Sequence, residues 1–261
     1  KISAGYRISY PDEKLFTFYL DEFETKFFDL PEGVYTCLIE NEDCEEQILT
    51  PGMDDEIFSR TKVPMTKNEV RVLSISRLEL TKNAVVYDVG SGTGSVSAEC
   101  ARLSPDIFVF AIEQKEEAAN LTKENAARLG LLDQIVVINK KAPEGFEELP
   151  TPTHVFIGGS SGALSDILSA IQKKLIVKEN TKGKTDKASK RVRVVINAVS
   201  LETIAQITKL IQTYPVEHVQ LTQIQASRAH KLGSYNLMQA QNPVLIASFD
   251  LLPDDKIEAN E

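Results

Sequence analysis

Val85-Val86-Tyr87-Asp88-Val89-Gly90-Ser91-Gly92-Thr93-Gly94 joins an apolar run, one carboxylate and three alternating glycines. Glycine at such a turn lets backbone amides come close to a ligand and supplies positive φ without a Cβ clash. The spacing selects the ligand. A dinucleotide turn reads G-x-G-x-x-G, and its last glycine would fall at position 95, where the chain has Ser95. Asp88, two residues before the first glycine, would repel a pyrophosphate and suits a cationic ligand. The alternative is a turn-capping Asp88 without ligand contact, since such side chains often bond their own backbone. Glu113 lies 19 residues beyond Gly94, at the end of the next apolar run, where a carboxylate can accept both hydroxyls of a ribose.

The ends of the later apolar runs carry further signals. Phe156-Ile157-Gly158-Gly159-Ser160-Ser161-Gly162 places three glycines just past a strand. Glycines there mark a ligand position and leave room for a bulky substrate. Asn197-Ala198-Val199-Ser200 presents a neutral amide, and the N-P-P-Y type of loop that acts on amino groups of bases is absent. An acid followed by G-x-G-x-G resembles the turn of S-adenosylmethionine-dependent methyltransferases, which bind no phosphate there. In many of these enzymes the third strand end carries an acid for the adenine amino group. Here Asn139-Lys140-Lys141-Ala142-Pro143 puts Lys141 in that place, which leaves adenine to backbone groups around Ala142.

Holding these residues at one edge takes an alternation of strands and helices. Strands are expected at 84–89, 108–113, 135–139, 154–157 and 193–197, with helices at 96–103, 116–129, 164–176 and 202–214. Gly130 caps the second of these helices, and Leu164, Ile167, Leu168, Ile171 and Leu175 form the apolar stripe of the third. Two last strands, 216–225 and 235–249, flank a nine-residue polar stretch with Gly233 and form a hairpin. The fold class is α/β, a seven-stranded mostly parallel sheet with a C-terminal antiparallel hairpin. Upstream, Thr66-Lys67-Asn68-Glu69 reads as a capping box for a helix carrying Val70, Leu73 and Leu78. Residues 20–28 have helical spacing, and 34–39 read as a strand after Pro31-Glu32-Gly33. Residues 1–45 thus hold one short helix and at most two strands, too little for a core of their own.

Composition excludes other classes. With 42% apolar and 26% charged residues the chain is neither disordered nor fibrous, and its apolar runs are far shorter than the roughly 18 residues of a bilayer span. The expectation is a protein without membrane contact. Lys1 begins the chain with no Met and no targeting segment in view, as a fragment would. Cys37, Cys44 and Cys100 lack C-x-x-C spacing, so neither a disulfide framework nor a metal site is expected, and a reducing cytoplasm fits. Residues 1–50 carry 12 acids against four bases, while 51–261 carry 26 against 25, so two units are joined near residue 50. An acidic chain argues against nucleic-acid binding. The segment 178–193, with seven bases and two acids, reads as a solvated loop.

Five strings, Lys62-Val63-Pro64-Met65-Thr66-Lys67-Asn68-Glu69-Val70-Arg71, Asp88 to Gly94, Phe156 to Ser160, Asn197 to Thr203 and Gln241-Asn242-Pro243-Val244, together resemble the decarboxylating precorrin-6B methyltransferases of cobalamin biosynthesis. The likeness covers about residues 50 to 250. Ser9-Tyr10-Pro11-Asp12-Glu13-Lys14 and Cys37 to Asn41 are similar to the end of a tetrapyrrole methylase, the carbon-5 enzyme fused ahead of some members. The resemblance implies the domains 1–45, methylase remnant; 46–56, linker; 57–252, methyltransferase; and 253–261, acidic tail. It implies a Rossmann-like class I fold, and S-adenosyl-L-methionine as methyl donor, leaving as S-adenosyl-L-homocysteine. The acceptor it implies is a precorrin tetrapyrrole, methylated at carbon 15 with loss of the ring C acetate carboxyl, in a cytoplasmic homo-oligomer. Departures are the long 178–193 segment, Lys141 and Ala229.

The donor residues expected on this basis are Thr66, Asp88, Gly90, Ser91, Gly92, Thr93, Gly94, Glu113 and Ala142. The substrate residues are Lys62, Lys67, Gly158, Gly159, Ser160, Asn197, Arg228 and Lys231, the cations as clamps for carboxylates. Arg228, His230 and Tyr235 are the candidates for proton handling. An RNA or protein methyltransferase using the basic segment, and a non-catalytic binding module, are the competing readings.

Overall fold

Ile2–Tyr6 (β1), Lys14–Phe18 (β2) and Tyr35–Ile39 (β3) pair antiparallel in the order β2-β1-β3. They form the first of two units, Lys1–Ile48 and Leu49–Glu261, in a computed structural model that describes residues 1–26, 31–41, 50–176 and 191–254. Ile2, Ala4 and Phe18 are buried together, with Phe16 and Tyr35 packed against them. This corrects the expectation of at most two strands, because all three pair here. Each spans five residues and β1 is Ile-Ser-Ala-Gly-Tyr, too short and too small-sided for a period-two signal. The helix expected over 20–28 is a 3-10 turn at Leu20–Glu22 followed by Phe23–Lys26 (α1); positions 27–28 lie outside the described residues. So do Cys44, residues 46–49 of the linker, the 178–190 part of the basic segment, and 255–261 of the tail.

The second unit runs Asn68–Leu78 (α2), Val85–Val89 (β4), Ser95–Ala101 (α3), Phe108–Ile112 (β5), Glu116–Arg128 (α4), Ile135–Ile138 (β6), His154–Ile157 (β7), Leu164–Ile176 (α5), Val192–Ala198 (β8) and Leu201–Thr213 (α6). Val216–Ile224 (β9), Ser227–Leu232 (β10), Tyr235–Ala240 (β11) and Val244–Leu251 (β12) complete it. Its seven-stranded sheet has the order β6-β5-β4-β7-β8-β12-β9, parallel except for β12, which runs antiparallel between β8 and β9. Side chains alternate between two cores, as a pleated strand requires. Tyr87 and Val89 of β4 pack with Ile167, Leu168 and Ile171 of α5 and Ile207 of α6. Val86 packs on the other face with Ile75 and Leu78 of α2, Val96 of α3 and Ala126 of α4. From β4 the chain winds outward to β5 and β6, then returns to β7 on the other side of β4. That reversal places a topological switch point between β4 and β7. Among the described residues no helix is long and apolar enough to cross a membrane.

Gly130 ends α4 at φ 68, as its spacing predicts. The capping box does not form. The N-cap of α2 is Lys67, with no side-chain cap bond. The Asn68 amide is taken by Asp55 Oδ1 at 3.1 Å, and Glu69 is drawn away by Arg228. The last predicted strand is broken at Gln241-Asn242-Pro243, and the polar stretch before it is itself a strand: β10 pairs with β11 as a separate two-stranded ribbon. The basic segment also ends earlier than expected, because Val192 and Arg193 are buried at the start of β8.

Candidate active site

At the switch point the Gly90 amide donates to Ile112 O and the Gly158 amide to Val89 O, both at 2.9 Å. A Cβ on Gly90, at φ +73, would lie 2.6 Å from Gly159 O, and one on Gly92, at φ +59, would lie 2.9 Å from Pro64 O. Only glycine allows this approach of backbone to backbone in the left-handed region. The turn opens on a cleft of 380 Å³ with apolar walls from Val63, Pro64, Val89, Ile112, Ala118 and Ala142. Glu113, 8% exposed, lines it as well. Its Oε2 accepts from the Gly92 amide at 3.1 Å and its Oε1 from the Lys115 amide at 2.9 Å. The carboxylate is thereby pinned to the turn, with lone pairs left for a bound diol.

Of the expected donor residues, Gly90, Gly92, Glu113 and Ala142 line the cleft. The cleft wall does not include Asp88, Ser91, Thr93, Gly94 or Thr66. Asp88 shares the face of β4 that α3 covers, and its Oδ2 accepts from Ser97 Oγ at 2.5 Å. Ser91 Oγ lies 3.3 Å from Thr122 Oγ1, Gly94 is the N-cap of α3, and Thr66 O accepts from Arg71 Nη1 at 2.8 Å. Of the expected substrate residues, Lys62, Gly158, Gly159 and Ser160 line the cleft. The others are engaged or placed elsewhere. Arg228 grips Glu69 with two nitrogens, at 2.8 and 2.7 Å, and Asp55 Oδ2 with the third at 2.8 Å. Lys67 Nζ is 3.8 Å from Asp55, and the Asn197 amide donates to Ser74 Oγ at 2.9 Å. His230, Lys231 and Tyr235 are exposed on the β10–β11 ribbon. Pro64, Lys115, Lys140 and Ser161 line the cleft without having been singled out. Ser161 directly follows Ser160 in the glycine loop, and Lys115 lies two residues past Glu113.

Burial of Asp88, 1% exposed, pushes its carboxyl from 3.8 up to about 6, against the lowering effect of the Ser97 hydroxyl. The folded state therefore holds this proton more tightly than the unfolded chain does. The resulting stabilisation is fully present below the unfolded value of 3.8 and is lost as pH rises through about 6. Relative to an Asp88→Asn variant, which cannot titrate there, the native protein should lose about 2 kcal/mol of stability between those pH values, out of about 3 kcal/mol across the whole titration. Urea denaturation of both proteins over that range measures the difference, and a flat difference would show that Asp88 titrates normally.

A family model described as the precorrin methyltransferase domain matches residues 56–250. A probable cobalt-precorrin-6B C(15)-methyltransferase (decarboxylating) from Pyrobaculum calidifontis is 38% identical over 199 residues, 76% of this chain and 94% of that one. The structure of precorrin-6Y C5,15-methyltransferase from Geobacter metallireducens aligns with a TM-score of 0.66 at 30% identity, covering 77% of this chain and 96% of that chain. The C-terminal domain of precorrin-6Y C5,15-methyltransferase from Rhodobacter capsulatus aligns with a TM-score of 0.64 at 27% identity, covering 78% of this chain and 100% of that chain.

Proposed function

The chain belongs to the precorrin methyltransferase domain family, and from that premise we propose that it transfers a methyl group from S-adenosylmethionine to carbon 15 of precorrin-6B or its cobalt form. The ring C acetate carboxyl leaves as carbon dioxide in the same conversion. One observation carries the reading: the glycine cradle of Gly90 and Gly92 closes on Gly159 and Pro64 while Glu113 is tied to the Gly92 amide. A cradle that a single Cβ would fill, beside one nearly buried carboxylate and apolar walls, fits the ribose and uncharged base of such a donor.

When bound, the donor supplies an electrophilic methyl group on a positively charged sulfur. The chain contributes position. Glu113 would accept from the ribose hydroxyls, and Val63, Pro64 and Ala142, which line the cleft, would flank the rest of the donor. The Gly158–Gly159 edge, without side chains, leaves the acceptor carbon free to approach in line. An electron-rich ring carbon needs little side-chain activation, so holding it at near-attack distance supplies most of the rate. Loss of carbon dioxide leaves its bond pair on the former acetate carbon, which then takes up a proton. In the same reading residues 1–45, outside the matched 56–250, are the end of an adjoining tetrapyrrole methylase and supply no catalytic group. Mass spectrometry of precorrin-6B after incubation with enzyme and donor is expected to show one added methyl and one lost carboxyl. A methylated product that keeps every carboxyl, or RNA competing with donor turnover, would overturn the proposal.

A further inference from the structure

Resting on that reading, we propose that Lys62, Lys115 and Lys141 form an ammonium rim that selects a carboxylate-rich acceptor, while the donor makes no use of their charge. The chain carries a net −9, yet four of the cleft's lining residues are lysines, Lys62, Lys115, Lys140 and Lys141, against the carboxylates Glu113 and Glu117. Both carboxylates have protein partners. Glu113 holds two backbone amides, and Glu117 Oε1 accepts from Thr61 Oγ1 at 2.6 Å. Lys140 leans toward Glu148 at 3.8 Å. Among the described residues Lys62, Lys115 and Lys141 form no ion pair, and all three are exposed.

Helix electrostatics sharpens the case for Lys115. It is the N-cap residue of α4, whose first turn carries Glu116 and Glu117. A helix N-terminus favours acids and disfavours a cation, so this lysine works against local stability. The donor does not account for the surplus. S-adenosylmethionine carries a sulfonium, an ammonium and one carboxylate, a net positive charge that an excess of lysines repels. The anionic groups met by the rim therefore belong to the acceptor. Ammonium groups on long stems suit this task, since each can follow a carboxylate at a different place on the edge of a large ring.

Titration of uroporphyrin, a fluorescent tetrapyrrole with a carboxylate-rich rim, tests acceptor capture without turnover. Lys62→Gln, Lys115→Gln and Lys141→Gln are each expected to weaken its binding about two- to fivefold, and the triple variant roughly tenfold to hundredfold. The salt dependence of binding should flatten in the triple variant. Calorimetry of the same variant with S-adenosylhomocysteine should give an affinity within about twofold of native, and KM for precorrin-6B should rise with kcat little changed. Unchanged uroporphyrin binding in the triple variant, or a parallel loss of S-adenosylhomocysteine affinity, overturns the rim. If the native protein binds S-adenosylhomocysteine but neither binds uroporphyrin nor converts precorrin-6B, the acceptor reading itself falls.

Discussion

Gly92→Val is expected to abolish binding of S-adenosylhomocysteine, read by titration calorimetry as a loss of roughly a hundredfold or more in affinity. Two costs add. The residue sits at φ +59, a conformation that costs a branched side chain about 1–2 kcal/mol or more. Its Cβ would also stand 2.9 Å from Pro64 O, a backbone atom, so the segment forming one wall of the cleft must move or the turn must open. Either response disturbs the Gly92 amide that Glu113 accepts at 3.1 Å. Gly130→Ala is the control, because Gly130 has φ +68 but nothing within 4 Å of a built Cβ. It should pay the backbone cost alone and keep native affinity. A folded Gly92→Val protein with near-native affinity would remove this turn from the donor site.

The glycine turn was legible because it is local: an apolar strand, three alternating glycines and a helix lie within a few residues of one another. Glu113 was legible for the same reason, as the residue just past the end of the neighbouring parallel strand β5. Asp88 shows where such reading stops. Position two before the first glycine puts it at the correct edge, but the period-two pleat puts it on the same face as Val86, toward α3, where Ser97 takes it. The pattern carried that information and the motif alone did not. Arg228 carried no local signal at all. Its partners Glu69 and Asp55 are 159 and 173 residues away, and nothing in the string Ser227-Arg228-Ala229-His230-Lys231 distinguishes an arginine held by two carboxylates from one free to clamp a substrate. The strand β10 was missed because it is largely exposed on both faces, so no apolar alternation marks it. Both cores of the large sheet were readable, since one depends on the apolar stripes of α5 and α6 and the other on those of α2, α3 and α4, each against apolar strand segments.

Arg71→Met is expected to cost about 3–5 kcal/mol of stability, measured by urea denaturation, because it removes the hub of a buried ion network. Arg71 lies on α2 at 0% exposure, between Asp55 at 2% and Glu99 at 0%. Its Nη1 donates to Asp55 Oδ1 at 3.1 Å and to Thr66 O at 2.8 Å, its Nε to Glu99 Oε1 at 3.2 Å, and its Nη2 to Met53 O. The guanidinium also stands over the Phe58 ring, 5.0 Å from its centroid. Removing it leaves Asp55 with Arg228 and Lys67 but strips the fully buried Glu99 down to Arg102 and two backbone amides. A buried carboxylate that loses one of its two guanidinium partners costs more than the pair itself was worth. Adding Glu99→Gln to Arg71→Met should therefore recover part of the loss, about 1–2 kcal/mol, a coupling that two independent sites would not show. The network also anchors the chain on either side of Lys62, Val63 and Pro64, through Met53, Asp55 and Thr66, so donor affinity should weaken along with stability. If Arg71→Met falls within about 1 kcal/mol of native, then water reaches this cluster and the anchoring of the Lys62–Pro64 wall has to be sought elsewhere.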